Sequence, residues 1–183
     1  MKPKLIIAAI LLIALSTMGF QCINDGFEIT LNLDPFNGCF FVNAGTSHDF
    51  SGDPVRIDSK TLYDNSYELT GVGVYDIQVQ TMGTDLGAIT NGVVYVWIEG
   101  SPVPPDTLAT YAGNWSDFTT PRSILTSPTL VKVKSAGITR LVQAVMAKQV
   151  VVLRGQGHVQ TIPPTSRESQ VCVKAFAQAV GTP

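Results

Sequence analysis

Residues 67–99 read YELTGVGVYDIQVQTMGTDLGAITNGVVYVWIE. Apolar, β-branched and aromatic residues dominate two runs on either side of residues 82–87, MGTDLG. The pattern predicts two long strands folded back on each other, with residues 82–87 as a hairpin tip. Within the first strand the apolar parity changes. Tyr67 and Leu69 share one parity, Val72 and Val74 take the other, and Tyr75, Ile77 and Val79 return to the first. A period of two cannot slip without an extra residue or a bend, so a bulge or kink is predicted at residues 71–73, between Gly71 and Gly73. On that reading Gly73→Val damages folding. From Ala88 to Ile98 both parities are mostly apolar, as in a strand covered on both faces. Asn91-Gly92 reads as part of one long strand, because the parity of Asn91, Val93, Tyr95 and Trp97 continues from Ile89. A tight turn splitting the strand is the other reading.

The flanking chain supplies shorter pieces. Residues 27–33, FEITLNL, alternate strictly, then DPFNG offers turn chemistry and residues 39–43 run back as a first hairpin. Residues 44–66 are polar and turn-rich, with a short strand near His48 to Ser51 and a loop or helical turn near Ser59 to Tyr63. The prolines at 102, 104 and 105 exclude a ladder there. Residues 107–112 return beside 95–99, and LVKVK at 130–134 alternates again. Residues 136–147 give the one clear helix, with Ile138, Leu141, Val142, Val145 and Met146 in a single apolar stripe. Residues 150–161 and 170–180 form a last predicted hairpin around Pro163-Pro164-Thr165-Ser166, with glycines 155 and 157 marking a bulge. About nine strands and one covering helix predict an antiparallel β-sandwich, immunoglobulin-like in general architecture. An open β-barrel is the alternative.

The N-terminus reads as an export signal. Lys2 and Lys4 form a positive region, residues 5–15 an apolar one, and residues 16–21 a more polar one. The apolar run is short for a membrane span. Residues 1–21 are therefore expected to be a signal peptide, and residues 22–183 a single sandwich domain. Cleavage after Gly19 starts the chain at Phe20. Alternatively Cys22 is the lipidated first residue of a bacterial lipoprotein, although Gln21 departs from the small residue that processing prefers. Loss of residues 1–21 takes the formal charge from −2 to −4. A mild, dispersed negative charge gives no reason to expect nucleic acid or an anionic membrane surface as partner. Membrane contact is expected only through a lipid on Cys22. Localisation is expected to be the cell envelope or outside the cell, where disulfides persist, so Cys39 and Cys172 form a candidate bridge.

Catalytic motifs are nearly absent. The sequence holds no GxSxG, no HExxH, no phosphate-binding glycine loop and no EF-hand loop. Gly155-Gln156-Gly157 lies inside a predicted strand, so it is not a nucleotide loop. His48, Asp49, Asp53 and Asp58 could offer oxygen ligands to a cation, but Asp and Ser between turn residues more often cap turns. No cofactor is expected. Trp115 and Phe118 sit in a polar loop. They are the candidate binding residues for a protein or glycan partner, unless both rings fold down to plug one end of the sandwich. The leading expectation is a non-catalytic module with a binding or structural role. A carrier holding a small apolar ligand between helix and sheet comes second, and a hydrolase with an unrecognised site third.

Overall fold

The computed structural model describes residues 28–42, 47–63, 67–163 and 167–182. The signal-like segment and Cys22 lie outside the described residues. Eleven strands form two antiparallel sheets: β1 (Ile29–Asn32), β2 (Phe36–Val42), β3 (Asp49–Ser51), β4 (Val55–Asp58), β5 (Glu68–Gly83), β6 (Ala88–Ile98), β7 (Asp106–Asn114), β8 (Arg122–Ser123), β9 (Val131–Val133), β10 (Val150–Val159) and β11 (Ser169–Thr182). One helix, α1 (Ser135–Met146), and two short 3₁₀ turns, Ser59–Thr61 and Trp115–Phe118, complete the described elements.

In the first sheet the order is β1-β11-β5-β8, with β2 also on β11; in the second it is β3-β10-β6-β7-β9, with β4 also on β10. β1 and β2 are two halves of one interrupted edge strand, and so are β3 and β4. Asn32 lies opposite Gln178 and Phe36 opposite Ala175, so four steps on one side meet three on the other. Ser51 opposite Gln156 and Val55 opposite Leu153 repeat this one-residue excess. The extra residue falls at Asp34-Pro35 in one edge and at Asp53-Pro54 in the other. Proline has no N–H to give a ladder, and an edge bulge is where a sheet tolerates it. Counting each interrupted pair as one strand and β9 as an addition, eight strands remain, and the chain order is that of a double-sheet jelly roll. The antiparallel sandwich expected from the sequence is what the chain forms. It shares its two-layer architecture with immunoglobulin domains and differs in which strands are neighbours.

That connectivity corrects three predicted hairpins. β1 and β2 pair with β11, not with each other. β5 belongs to the first sheet and β6 to the second, so residues 84–87 cross between layers. Leu86 is fully buried in that crossing, where a hairpin tip would expose it. β10 and β11 are likewise split between sheets. Among the described strands only β6 and β7 are consecutive and hydrogen-bonded to each other. Alternation records which face a side chain takes and is silent on which strand lies beside it.

The parity reading of β5 is shifted rather than lost. Two residues are extra relative to β11: Tyr75, between pairs Asp76–Phe176 and Val74–Ala177, and Thr70, between Gly71–Val180 and Leu69–Gly181. The two irregularities bracket residues 71–73 instead of falling on them. A Cβ on Gly71 or Gly73 would meet nothing within 4 Å. The expectation that Gly73→Val damages folding is therefore corrected. β6 is one strand, but its parity breaks at Asn91, the extra residue relative to both β7 and β10, with φ of 53°. Beyond it Val94 and Val96 face inward, fully buried, while Val93, Tyr95 and Trp97 face outward and are half-buried. β6 is thus covered on one face, not two.

The core lies between the layers. Phe36, Phe40, Ile77, Val79, Val171 and Val173 of the first sheet meet Val94, Val96, Leu108, Val151 and Leu153 of the second, each at most 1 % exposed. Gly155 leaves room for Phe40: a Cβ there would lie 2.6 Å from the ring. Helix α1 packs against β5 of one sheet and β6 and β7 of the other. Leu141 and Val145 of its predicted stripe are buried, with Gly137 and Ala144, whereas Met146 is 38 % exposed. Lys148 takes φ of 53° after the helix, with Lys148 N–H on the Val145 carbonyl and Gln149 N–H on that of Ala144. This is the Schellman stop, made without the usual glycine. Among the described residues no helix is long and apolar enough to cross a membrane.

The Tyr111 hydroxyl is buried with no protein hydrogen-bond partner among the described residues. Burial pushes its pKa up from the usual value. The unfolded chain then ionises first as pH rises, so stability is intact below about pH 10 and falls above it. We expect Tyr111→Phe to leave stability unchanged or raise it by about 1 kcal/mol at neutral pH, because an unpaired buried hydroxyl carries a desolvation cost. It should also lessen the alkaline loss. Urea titrations at neutral and strongly alkaline pH measure both.

Candidate functional site

The outer face of the second sheet carries a shallow groove of about 550 Å³ lined from β3, β6 and β10. Ladder register builds it. His158 of β10 lies opposite Asp49 of β3, and Gln156 opposite Ser51. Register partners present side chains on one face, so both pairs meet. His158 Nδ1 lies 2.7 Å from Asp49 Oδ1, and Gln156 Nε2 lies 3.3 Å from Ser51 Oγ. His48 caps the same corner, with Nδ1 3.0 Å from the Val159 carbonyl and its ring 5.5 Å from that of His158. The His158 and Asp49 side chains are 45 % and 79 % exposed, so the pair is a surface contact worth little to stability.

β6 supplies the floor. Thr90, Asn91, Val93 and Tyr95 line the groove, and Asn91 and Val93 also line a second depression of about 270 Å³ that continues over β7 and β9 to Lys132. The bulge at Asn91 turns that side chain into the seam between the two. Asparagine tolerates the left-handed conformation the bulge imposes. Opposite it, Gly157 cannot gain a Cβ without meeting the Phe50 ring at 2.8 Å.

The candidates read from sequence divide. Asp49 lines the groove, joined by His158, which lies 109 residues along the chain from it, and His48 stands at the groove's corner beside His158. Asp53 sits in the edge bulge beside Pro54. Asp58 caps the 3₁₀ turn by accepting from Lys60 N–H at 3.0 Å. Among the described residues no three His, Cys, Asp or Glu side chains converge to hold a metal ion. Trp115 and Phe118 are fully buried, Phe118 edge-on to Tyr111 with ring centroids 6.1 Å apart. They plug the sandwich and are not offered to a partner, which corrects their assignment as binding residues. Cys39 and Cys172 are bonded across β2 and β11.

Among the described residues the buried carboxylate, Asp76, belongs to the scaffold. Asp76 accepts from Ser123 Oγ at 2.5 Å and from Gln78 Nε2 at 2.9 Å, tying the short β8 to β5. The space proposed for an apolar ligand is filled where the helix meets β7: a Cβ on Gly137 would lie 2.3 Å from the Thr107 carbonyl oxygen.

Sequence reasoning missed Asn91, Tyr95, Gln156 and His158 as one constellation. The Asn91-Gly92 dipeptide and the two histidines were visible; the register that joins them was not.

No family model matches the sequence, and no curated protein matches it. Among solved structures, a chain of Desmodium yellow mottle tymovirus matches 87 % of this chain and 90 % of its own length, at 12 % identity and a TM-score of 0.34. A chain of turnip yellow mosaic virus matches 87 % and 83 %, at 11 % identity and 0.34. A chain of infectious bursal disease virus, Gt strain, matches 87 % of this chain but 33 % of its own length, at 10 % identity and 0.32. Likeness at that level carries no inference about role.

Proposed function

We propose that the chain is an exported, non-catalytic jelly-roll module of the cell envelope or cell surface that binds a partner. The observation that carries the reading is the groove on the second sheet. Its side chains are placed by ladder register, and Asp49, Thr90, Asn91, Tyr95, Gln156 and His158 bring hydrogen-bonding groups together on an open floor suited to binding. The Cys39–Cys172 bond supports export, because such bonds persist in oxidising compartments. The positively charged and apolar start of the chain supports it independently.

The test is the intact mass of protein recovered from its own cells, alkylated with and without prior reduction. We expect a chain beginning at Phe20 or Cys22, with or without lipid on Cys22. Cys39 and Cys172 should take the label only after reduction. A chain that keeps residues 1–19, with both cysteines labelled before reduction, would overturn the export reading.

A further inference from the structure

We propose that the groove on the second sheet binds an uncharged oligosaccharide chain, laid across the strands over Val93 and flanked by Asn91 and Tyr95. The inference deepens the binding role proposed above and rests on it. Three observations favour a sugar over a peptide.

The first is where the groove lies. It crosses the sheet between β3 and β9, so its floor is made of strands paired on both sides: β10 with β3 and β6, β6 with β10 and β7, and β7 with β6 and β9. Peptides that bind by strand addition need an open edge with free N–H and C=O groups. Here recognition falls to side chains.

The second is what those side chains are. Among the described residues the Asn91 amide has no hydrogen-bond partner, although it stands at the seam of both depressions. With Gln156, Thr90 and Thr110 it supplies groups that both donate and accept, as sugar hydroxyls do. No lysine or arginine lines the groove itself. Asp49 faces His158, Arg154 is turned through Nε to the Gly52 carbonyl at 3.2 Å, and Lys132 lies at the far end of the second depression. An uncharged ligand suits that lining better than a phosphate or an acidic peptide.

The third is an aromatic ring in the groove wall. Tyr95 lines the groove from the outward face of β6 and is half-buried. The electron-rich face of a fixed ring suits the C–H face of a pyranose. Strands about 4.8 Å apart make the path over β3, β10, β6, β7 and β9 about 19 Å long, which suits a short chain rather than one ring.

The processed protein is titrated with hexasaccharides of β-1,4-linked glucose, xylose and N-acetylglucosamine and of α-1,4-linked glucose. Binding is followed by tryptophan fluorescence and by amide chemical shifts. We expect at least one to bind and to shift Asn91, Tyr95 and Gln156. Asn91→Gly removes the amide and keeps the backbone conformation, and should weaken binding about tenfold. Tyr95→Ala should weaken it about tenfold or more, while the amide spectrum stays that of the folded protein. Binding by none of the sugars, binding unaffected by both variants, or a protein partner that needs Tyr95 and Asn91 in place of any sugar would overturn the proposal. The two readings fail separately: sugars that do not bind leave the processed, disulfide-bonded mass unchanged, and an unprocessed chain leaves the groove's affinity to be measured.

Discussion

Gly137→Ala is expected to destabilise the protein by about 2 kcal/mol, although alanine is the better helix former. Two effects oppose each other. In an exposed helix the change would gain about 1 kcal/mol, because glycine loses more backbone freedom on folding. At this position a Cβ would lie 2.3 Å from the Thr107 carbonyl oxygen, 2.4 Å from Leu108 Cα and 2.7 Å from Leu108 N. Carbon atoms pack at about 3.5–4.0 Å, so something must move by more than an ångström. The obstacle is backbone, and that backbone belongs to β7, paired with β6 on one side and β9 on the other. The helix therefore yields, lifting Leu141, Ala144 and Val145 from fully buried seats. The ion pair of Arg140 with Asp106, 2.8 Å, is dragged with it. Overpacking of this kind costs roughly 1–3 kcal/mol, and the lost burial adds to it. Gly73→Val is the control: with open space at its Cβ it should change stability by less than about 0.5 kcal/mol. Urea unfolding of both variants against the parent measures the difference. A neutral Gly137→Ala would mean that the helix rides free of β7 in solution.

The contrast between these glycines shows what the sequence could carry. Both break an otherwise apolar segment, and Gly73 stood beside a visible parity change, so it read as the special one. The strain sits instead where two elements distant in sequence touch, and such contacts leave no local mark. Parity survived only in part: Leu69, then Val72 and Val74, then Ile77 and Val79 face the core in turn, whereas Tyr75, read with Ile77 and Val79, is the extra residue of a bulge and 50 % exposed. The helix, the two-layer architecture and the Cys39–Cys172 pairing were legible for similar reasons, since periodicity, turn chemistry and cysteine count are local or compositional. Pairing partners were not. Short connections suggested hairpins because two adjoining strands usually pair. In a jelly roll adjoining strands are shared between sheets, and the evidence for that was a single buried residue, Leu86, inside a segment otherwise built like a tip. The groove was hidden by the same gap. Its members come from residues 49–50, 90–95 and 156–158 and assemble only once β10 is placed between β3 and β6.

Reduction of the Cys39–Cys172 bond is expected to lower stability by about 3–5 kcal/mol while leaving the folded topology in place. The bond joins residues 133 apart. Closing a loop of that length removes conformational entropy from the unfolded chain worth about 5 kcal/mol, an upper figure because real unfolded chains are already compact. The folded state has other means of holding the same strands. Cys39 and Cys172 are direct register partners in a β2–β11 ladder that runs from Ser169–Val42 to Ala175–Phe36. Phe36, Phe40 and Val42 anchor β2 from the inner face, each at most 1 % exposed. Losing the bond should thus lower the urea midpoint and leave the amide spectrum of β2 and β11 nearly unchanged away from the two cysteines. Refolding should slow as well, because β2 lies near the start of the chain and β11 at its end, and their contact then has to close unaided. Cys39→Ser with Cys172→Ser should match the reduced protein in both measurements, which separates loss of the bond from side effects of the reductant. A midpoint change equivalent to less than about 1 kcal/mol would show that the ladder alone sets the stability. Export would then lose the energetic part of its support, because the fold would fare as well in a reducing compartment as in an oxidising one.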